Sequence, residues 1–234
     1  MRVKTIVKRL LYFTLILAML VPVLNLTSCD RKYDEAEVKA AATALLKESE
    51  TLNGVLFGQG IATVTGPNTN GAYHEADYLH LVSLGFTTIE ELRARVNKTF
   101  TAEYAELIFS TVLSPINVDG VAVANTRYYQ KYADEMTKTD PVCIMVFRDY
   151  EYIFRDTVVY DYDSIRVTDV KKQTLYISVD LTVTDRDDGL SQRRTLTFEL
   201  IEEADGWRIN SPTYINYNAY ADKYDDLKDQ DIRD

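Results

Sequence analysis

The chain of 234 residues contains two histidines, and both fall in one stretch, "YHEADYLHL". His74, Glu75, Asp77 and His80 are the residue types that bind zinc or move protons near neutral pH. Their spacing argues against a metal centre. His-x5-His is not a usual ligand spacing, and the other candidate ligands are scattered acids. The expectation is a loop histidine at position 74 and a strand histidine at position 80, with no metal and no cofactor. A second acidic group, "DRDDG" from Asp185 to Gly189, suggests calcium. An EF-hand loop wants glycine at position 6 and glutamate at position 12. Counting from Asp185, those positions hold Leu190 and Leu196, so a turn between strands is expected instead. No phosphate-binding loop, nucleophile elbow or dinucleotide fingerprint occurs. Cys143 sits in the apolar run "PVCIMVF" with no histidine near it in sequence, and reads as a small buried hydrophobe. No catalytic residue is assigned.

The elements that must position these groups fall into two halves. From Tyr33, "YDEAEVKAAATALLKESETLNGVLFG" carries Val38, Ala41, Ala42, Leu45 and Leu46 at helical spacing. Asp34 and Glu35 lie at its dipole-favoured start, and Asn53-Gly54 or Gly58 marks its end. Gly60 to Ala76 is a loop by composition, and "DYLHLVSLGF" is expected to be a short strand. Thr88 with Glu91 has the form of a capping box before one helix, and Thr101 opens a second, with a break near Phe100-Thr101. The period then changes to two. In "TLYISVDLTVT", Leu175, Ile177, Val179, Leu181 and Val183 share one face, and Tyr176, Ser178 and Asp180 lie on the other. "RRTLTFELIEE" alternates likewise, and Asp205-Gly206 suits a tight hairpin before "WRINSPTYI". Further strands are expected at Val118–Val123, Val142–Phe147, Tyr152–Tyr160 and Ser164–Val170. The polar tail 218–234 is expected to fray. Helices followed by meandering antiparallel strands indicate an α+β domain, with helices packed on one face of a curved sheet.

The formal net charge of −10 combines two unlike pieces. Residues 1–28 carry Arg2, Lys4, Lys8 and Arg9 and no acid, which leaves −14 on residues 29–234. A body this acidic repels nucleic-acid phosphates, so a nucleic-acid partner is excluded. Leu10 to Leu24 is uncharged, too short for a membrane span of roughly 20 residues, and of suitable length for the core of a secretory signal.

Leu26-Thr27-Ser28-Cys29 follows. The arrangement resembles the signal of bacterial lipoproteins: an aliphatic residue, two small residues, then cysteine. The resemblance implies that residues 1–28 are cleaved, that Cys29 is the lipidated first mature residue, and that 29–33 form a short tether. It also implies a location at the outer face of the bacterial cytoplasmic membrane, with the membrane itself as a partner through the lipid. Two acyl chains anchor stably where one does not.

The order of elements over residues 34–217 and the final hairpin with "DGWRI" are similar to the nuclear-transport-factor-2-like superfamily, a cone-shaped α+β roll. That superfamily holds its pocket between the sheet and the helices, and some members are isomerases or hydratases. The resemblance makes Tyr176, Asp180 and Glu199 candidate ligand-binding residues. No enzyme motif maps residue by residue, so no catalytic role is carried over. A fainter likeness, through "YLHLVSLGFTTIEELRARVNKTFTAEYAELI", is to secreted inhibitors of cell-wall DL-endopeptidases. Tyrosines near positions 128–132 and 150–162 could supply a binding surface. The expected function is therefore a lipid-anchored, non-catalytic binding module for a protein, a wall fragment or a small molecule. Its alternatives are a wall-hydrolase inhibitor acting through Gly60–Ala76, and a small isomerase or hydratase with an acid–tyrosine pocket.

Overall fold

The computed structural model describes residues 33–64, 69–70, 72–118, 121–147, 157–184 and 189–214. The segment expected to be a signal, with Cys29, and the tail 218–234 lie outside the described residues. The first helix, α1 (Glu35–Leu56), is followed by the short strands β1 (Thr69–Asn70) and β2 (Tyr73–Glu75). Three helices come next: α2 (Tyr78–Leu84), α3 (Ile89–Thr99) and α4 (Ala102–Val112). A hairpin of β3 (Ile116–Val118) and β4 (Val121–Ala124) leads into β5 (Tyr128–Asp134) and β6 (Thr139–Phe147). The chain then builds β7 (Thr157–Lys171), β8 (Thr174–Thr184), β9 (Ser191–Glu203) and β10 (Gly206–Ile209).

This is the expected α+β class, and its strands pair antiparallel. They divide, however, into two four-stranded sheets, ordered β1-β2-β6-β5 and β10-β9-β8-β7, plus the β3-β4 hairpin. The sheets do not close into a barrel. The apolar face of β8 is borne out: Leu175, Ile177, Val179, Leu181 and Val183 are all buried, and on the other face Ser178 is buried too. Opposite them on β9, Leu196, Phe198 and Leu200 are at most 1% exposed. Each large apolar side chain removed from water there contributes about 1.5–3 kcal/mol before its entropy cost. Helix α1 lies against β7 and β10, burying Val38, Ala42, Leu46, Leu52 and Leu56 at the spacing its sequence predicts.

Several boundaries differ from expectation. The segment "YLHLVSL" is helix α2, not a strand. Asp77 caps it, accepting the N–H groups of Leu79 and His80, and Gly85 closes it at φ 79°. Local capping therefore overrides the apolar pattern. The break at Phe100-Thr101 is real and docks onto the second sheet. The Thr101 N–H donates to Ile209 O at 2.9 Å, and Phe100 bridges Ile209 in parallel. The candidate strand Ser164–Val170 and the end of Tyr152–Tyr160 belong to one long strand, β7, bulged between Asp161 and Arg166. Residues 152–156 are outside the described set. The final hairpin turns at Ala204-Asp205, and Gly206 (φ 131°) is already paired with Glu203. The loop expected at Gly60–Ala76 is partly sheet: His74 pairs with Val146, and Glu75 with Met145.

Candidate functional site

The three candidate ligand-binding residues do not line a pocket between sheet and helices. That interface is filled by side chains. Tyr176, Asp180 and Glu199 lie on the opposite face of the β7–β10 sheet. The register sets Tyr176 directly across from Glu199, but Asp180 is four residues further along β8, about 13 Å away at strand rise. Asp180 is half-exposed, with 50% of its side chain open to solvent. It accepts the Thr195 hydroxyl at 2.9 Å and faces Arg166 at 3.4 Å. The threonine hydrogen bond first, and Arg166 after desolvation, hold its carboxyl below the ordinary aspartate range. A base in an apolar pocket would be shifted the other way. Glu199 accepts from Asn210 Nδ2 at 3.1 Å, and Lys171 Nζ sits 4.8 Å from the Tyr176 ring centre. The face is a polar lattice of satisfied side chains.

Neither histidine has its expected setting, a loop for His74 and a strand for His80. His74 is on strand β2 and His80 is on helix α2. His80 Nδ1 accepts the Ala62 N–H at 2.8 Å, so in the neutral ring the proton sits on Nε2. Among the described residues, no group of three or more His, Cys, Asp or Glu side chains is placed to hold a metal. The segment "DRDDG" lies outside the described residues up to Gly189, but its flanks pair as Thr184↔Ser191, which makes it the β8–β9 connection. Cys143 is half-buried and free, with its thiol 3.7 Å from Met145 Sδ, and burial pushes its pKa up.

The tyrosines do not form one surface. Tyr128 and Tyr160 are core residues whose hydroxyls donate to Val55 O and Thr213 O, each at 2.6 Å. Desolvation raises the Tyr160 pKa far above its ordinary value. Tyr129 packs edge-on against Tyr73, and Tyr132 donates to Glu90 at 2.9 Å. Tyr150 and Tyr152 are outside the described residues.

One concavity among the described residues lies beside the last turns of α1. It has a volume of about 420 Å³, bounded by that helix, the segment Gly58–Gly60, α2 and the start of β7. Tyr160 and Tyr214 line it, both nearly buried, and Leu84 and Val158 add apolar wall. Its polar lining includes Glu50, Gln59 and His80. Glu50 Oε2 accepts the Tyr162 hydroxyl at 2.6 Å. Glu50 and Gln59 are exposed and His80 is partly so; Glu50 Oε1, the Gln59 carboxamide and His80 Nε2 make no hydrogen bond to a described residue and face the open cleft.

The lining segment Gly58–Gly60 is held behind the cleft by an arginine that sequence reasoning missed. Buried Arg127 donates to Leu56 O at 2.6 Å and Gly58 O at 2.5 Å. Helix α1 has no basic residue in its last turn, and Arg127 supplies the missing cation from 71 residues away. Gly60 stands against it at φ 81°, and a Cβ there would lie 2.8 Å from the Tyr128 hydroxyl and closer still to Arg127. The visible signal was "GQG" after the helix. Its partner Arg127 gave none.

No family model and no curated protein matches the chain. No helix among the described residues is long and apolar enough to cross a membrane.

Proposed function

We propose that this protein is a bacterial lipoprotein held at the outer face of the cytoplasmic membrane through Cys29, and that it binds a small ligand in the cleft beside α1 without transforming it. The observation that carries the binding reading is the lining of the cleft. Glu50, Gln59 and His80 present hydrogen-bonding atoms that no described residue uses, around a volume of about 420 Å³. Pockets of this size that combine apolar walls with a few convergent polar groups are the usual form of a small-molecule site. The Tyr160 phenol in the cleft wall, whose pKa is raised, is committed to Thr213 O. The anchor rests on the basic n-region, the apolar core of 15 residues and Leu26-Thr27-Ser28-Cys29.

Two properties of the acid–tyrosine set weigh against the isomerase or hydratase alternative: Asp180 is half-exposed and its pKa is lowered. The inhibitor alternative needs Gly60–Ala76 as a free loop, whereas β2 is paired into a sheet. Mass spectrometry of the mature protein tests the anchor: a diacylglyceryl-modified Cys29 at the N-terminus is expected, and an unmodified Cys29 or another start overturns it. Amide shifts mapped by NMR while small molecules are titrated test the cleft. Shifts should centre on Gly54–Gly60 and His80. Shifts confined to the Asp180 face, or tight 1:1 inhibition of a wall endopeptidase, would replace the reading.

A further inference from the structure

Gly54 is a glycine that the fold does not require. Sequence reasoning makes Asn53-Gly54 the end of the first helix, but α1 continues to Leu56. Asn53 does not serve as a local cap. Its carbonyl takes the N–H groups of Phe57 and Gly58, and its amide donates to Thr213 Oγ1 at 2.9 Å. Gly54 is thus helical, without the positive φ that would call for glycine. A Cβ built on it meets nothing within 4 Å. A glycine inside a helix is less stable than alanine, and here no close approach of another group offsets that cost. Gly54 is itself among the residues that line the cleft.

The atoms around that space narrow the chemistry of its occupant. Glu50 Oε1 only accepts hydrogen bonds, His80 Nε2–H donates from the neutral ring, and the Gln59 amide does both. An ammonium ion could serve Glu50 but offers His80 no acceptor. A phosphate or carboxylate could serve His80, but Glu50 repels it, and no lysine or arginine is among the lining residues. A zwitterionic amino acid would leave its carboxylate without a cation. Hydroxyl groups both donate and accept and carry no charge.

Resting on the binding reading above, we infer that the cleft takes an uncharged, hydroxyl-rich ligand of the saccharide class, and that Gly54 sets the depth to which the sugar enters. Glu50, His80 and Gln59 would hold hydroxyls, and the missing Cβ would leave room for the ring.

The test uses the mature chain, with titration calorimetry and amide NMR, and cellobiose and N,N′-diacetylchitobiose as sugar probes. Putrescine and alanine serve as the amine and zwitterion controls. Gly54→Ala should raise Tm by about 1–4 °C, as a compatible glycine replacement does in a body of this size, so folding is controlled internally. Gly54→Leu, which reaches further into the cleft, should weaken sugar binding at least tenfold, while Glu50→Gln weakens it less. Sugar binding unaffected by Gly54→Leu overturns the role of Gly54 and leaves a binding module. Binding of putrescine or alanine but neither sugar overturns the ligand class alone. If none of the four probes shifts the amides of Gly54–Gly60 or His80, the inference and the cleft reading fall together.

Discussion

Arg127 and Asp180 show how differently a charge behaves inside and outside the core. Arg127 is 2% exposed, and a buried charge is tolerated only when its donors are matched. The carbonyls of Leu56, the last residue of α1, and of Gly58 just beyond it do this, so one side chain at the foot of β5 holds the end of the helix and the segment that lines the cleft. Gly60 is fixed by the same arrangement, through both its φ and the nearness of the guanidinium. Asp180 is half-exposed, so its ion pair with Arg166 is solvent-screened and contributes little. Its lowered pKa still has a measurable consequence. With the folded pKa below the ordinary 3.8, its stabilisation is present above about pH 4 and is lost as pH falls through the folded pKa. Asp180→Asn should therefore lower Tm at pH 7, and the gap should close as pH falls below about 4 and through the folded pKa. A Tm difference that does not change with pH would show that the carboxylate charge is irrelevant there.

Among the elements, the helices are held at their ends as much as along their faces. The capping box of α3 is complete. Thr88 Oγ1 accepts the Glu91 N–H at 3.1 Å, and Glu91 Oε2 accepts the Thr88 N–H at 3.2 Å and the Thr87 N–H at 2.6 Å. A further N–H, that of Ile89, donates to Gln130 Oε1 on β5 at 3.0 Å. The helix start is thus satisfied partly by local sequence and partly by a distant strand. Thr88→Ala should cost about 1 kcal/mol, read as a Tm lowered by about 2–4 °C. An unchanged Tm would mean that Gln130 alone anchors the helix. The box was visible in the sequence because its partners are three residues apart. The Asp77 cap of α2 was equally local, yet the apolar residues of "YLHLVSLGF" suggested a strand. The Asp77 and Gly85 pair at the two ends was the better signal.

At the scale of the molecule, the β7–β10 sheet under α1 is the densest part. The β5–β6 hairpin extends into solvent, with residues 133–142 exposed and Met136 at the tip 93% exposed. Local opening follows such differences in burial. Amide hydrogen exchange should find Ile177, Val179 and Leu181 among the slowest sites, exchanging by global unfolding. Residues 133–142 should exchange orders of magnitude faster. Equal protection of the hairpin would mean that another surface covers it. The apolar side chains of the long strands β7, β8 and β9 fill the space between sheet and helix, which is why the cleft opens at the margin, where α1 ends.

The sequence by itself determined whatever depends on neighbours a few residues apart: the amphipathic stripe of α1, the caps at Thr88 and Thr101, the two faces of β8, and hence the α+β class. It also determined the charge contrast between residues 1–28 and the rest. Only the tertiary structure decided which face of the sheet would be covered, and this moved Tyr176, Asp180 and Glu199 away from any pocket. Alternation shows that a strand has two faces but not which side a helix will pack on for the polar one to be left outside. The cleft was beyond sequence reasoning for the same reason. Glu50, Gln59 and His80 meet because Arg127 ties the end of α1 to β5 and because Ala62 holds His80. Such long-range pairs leave no periodic trace in the chain. Gly54 stood in plain view as a helix stop, and only the helix running past it turned that glycine into a question about what fills the space.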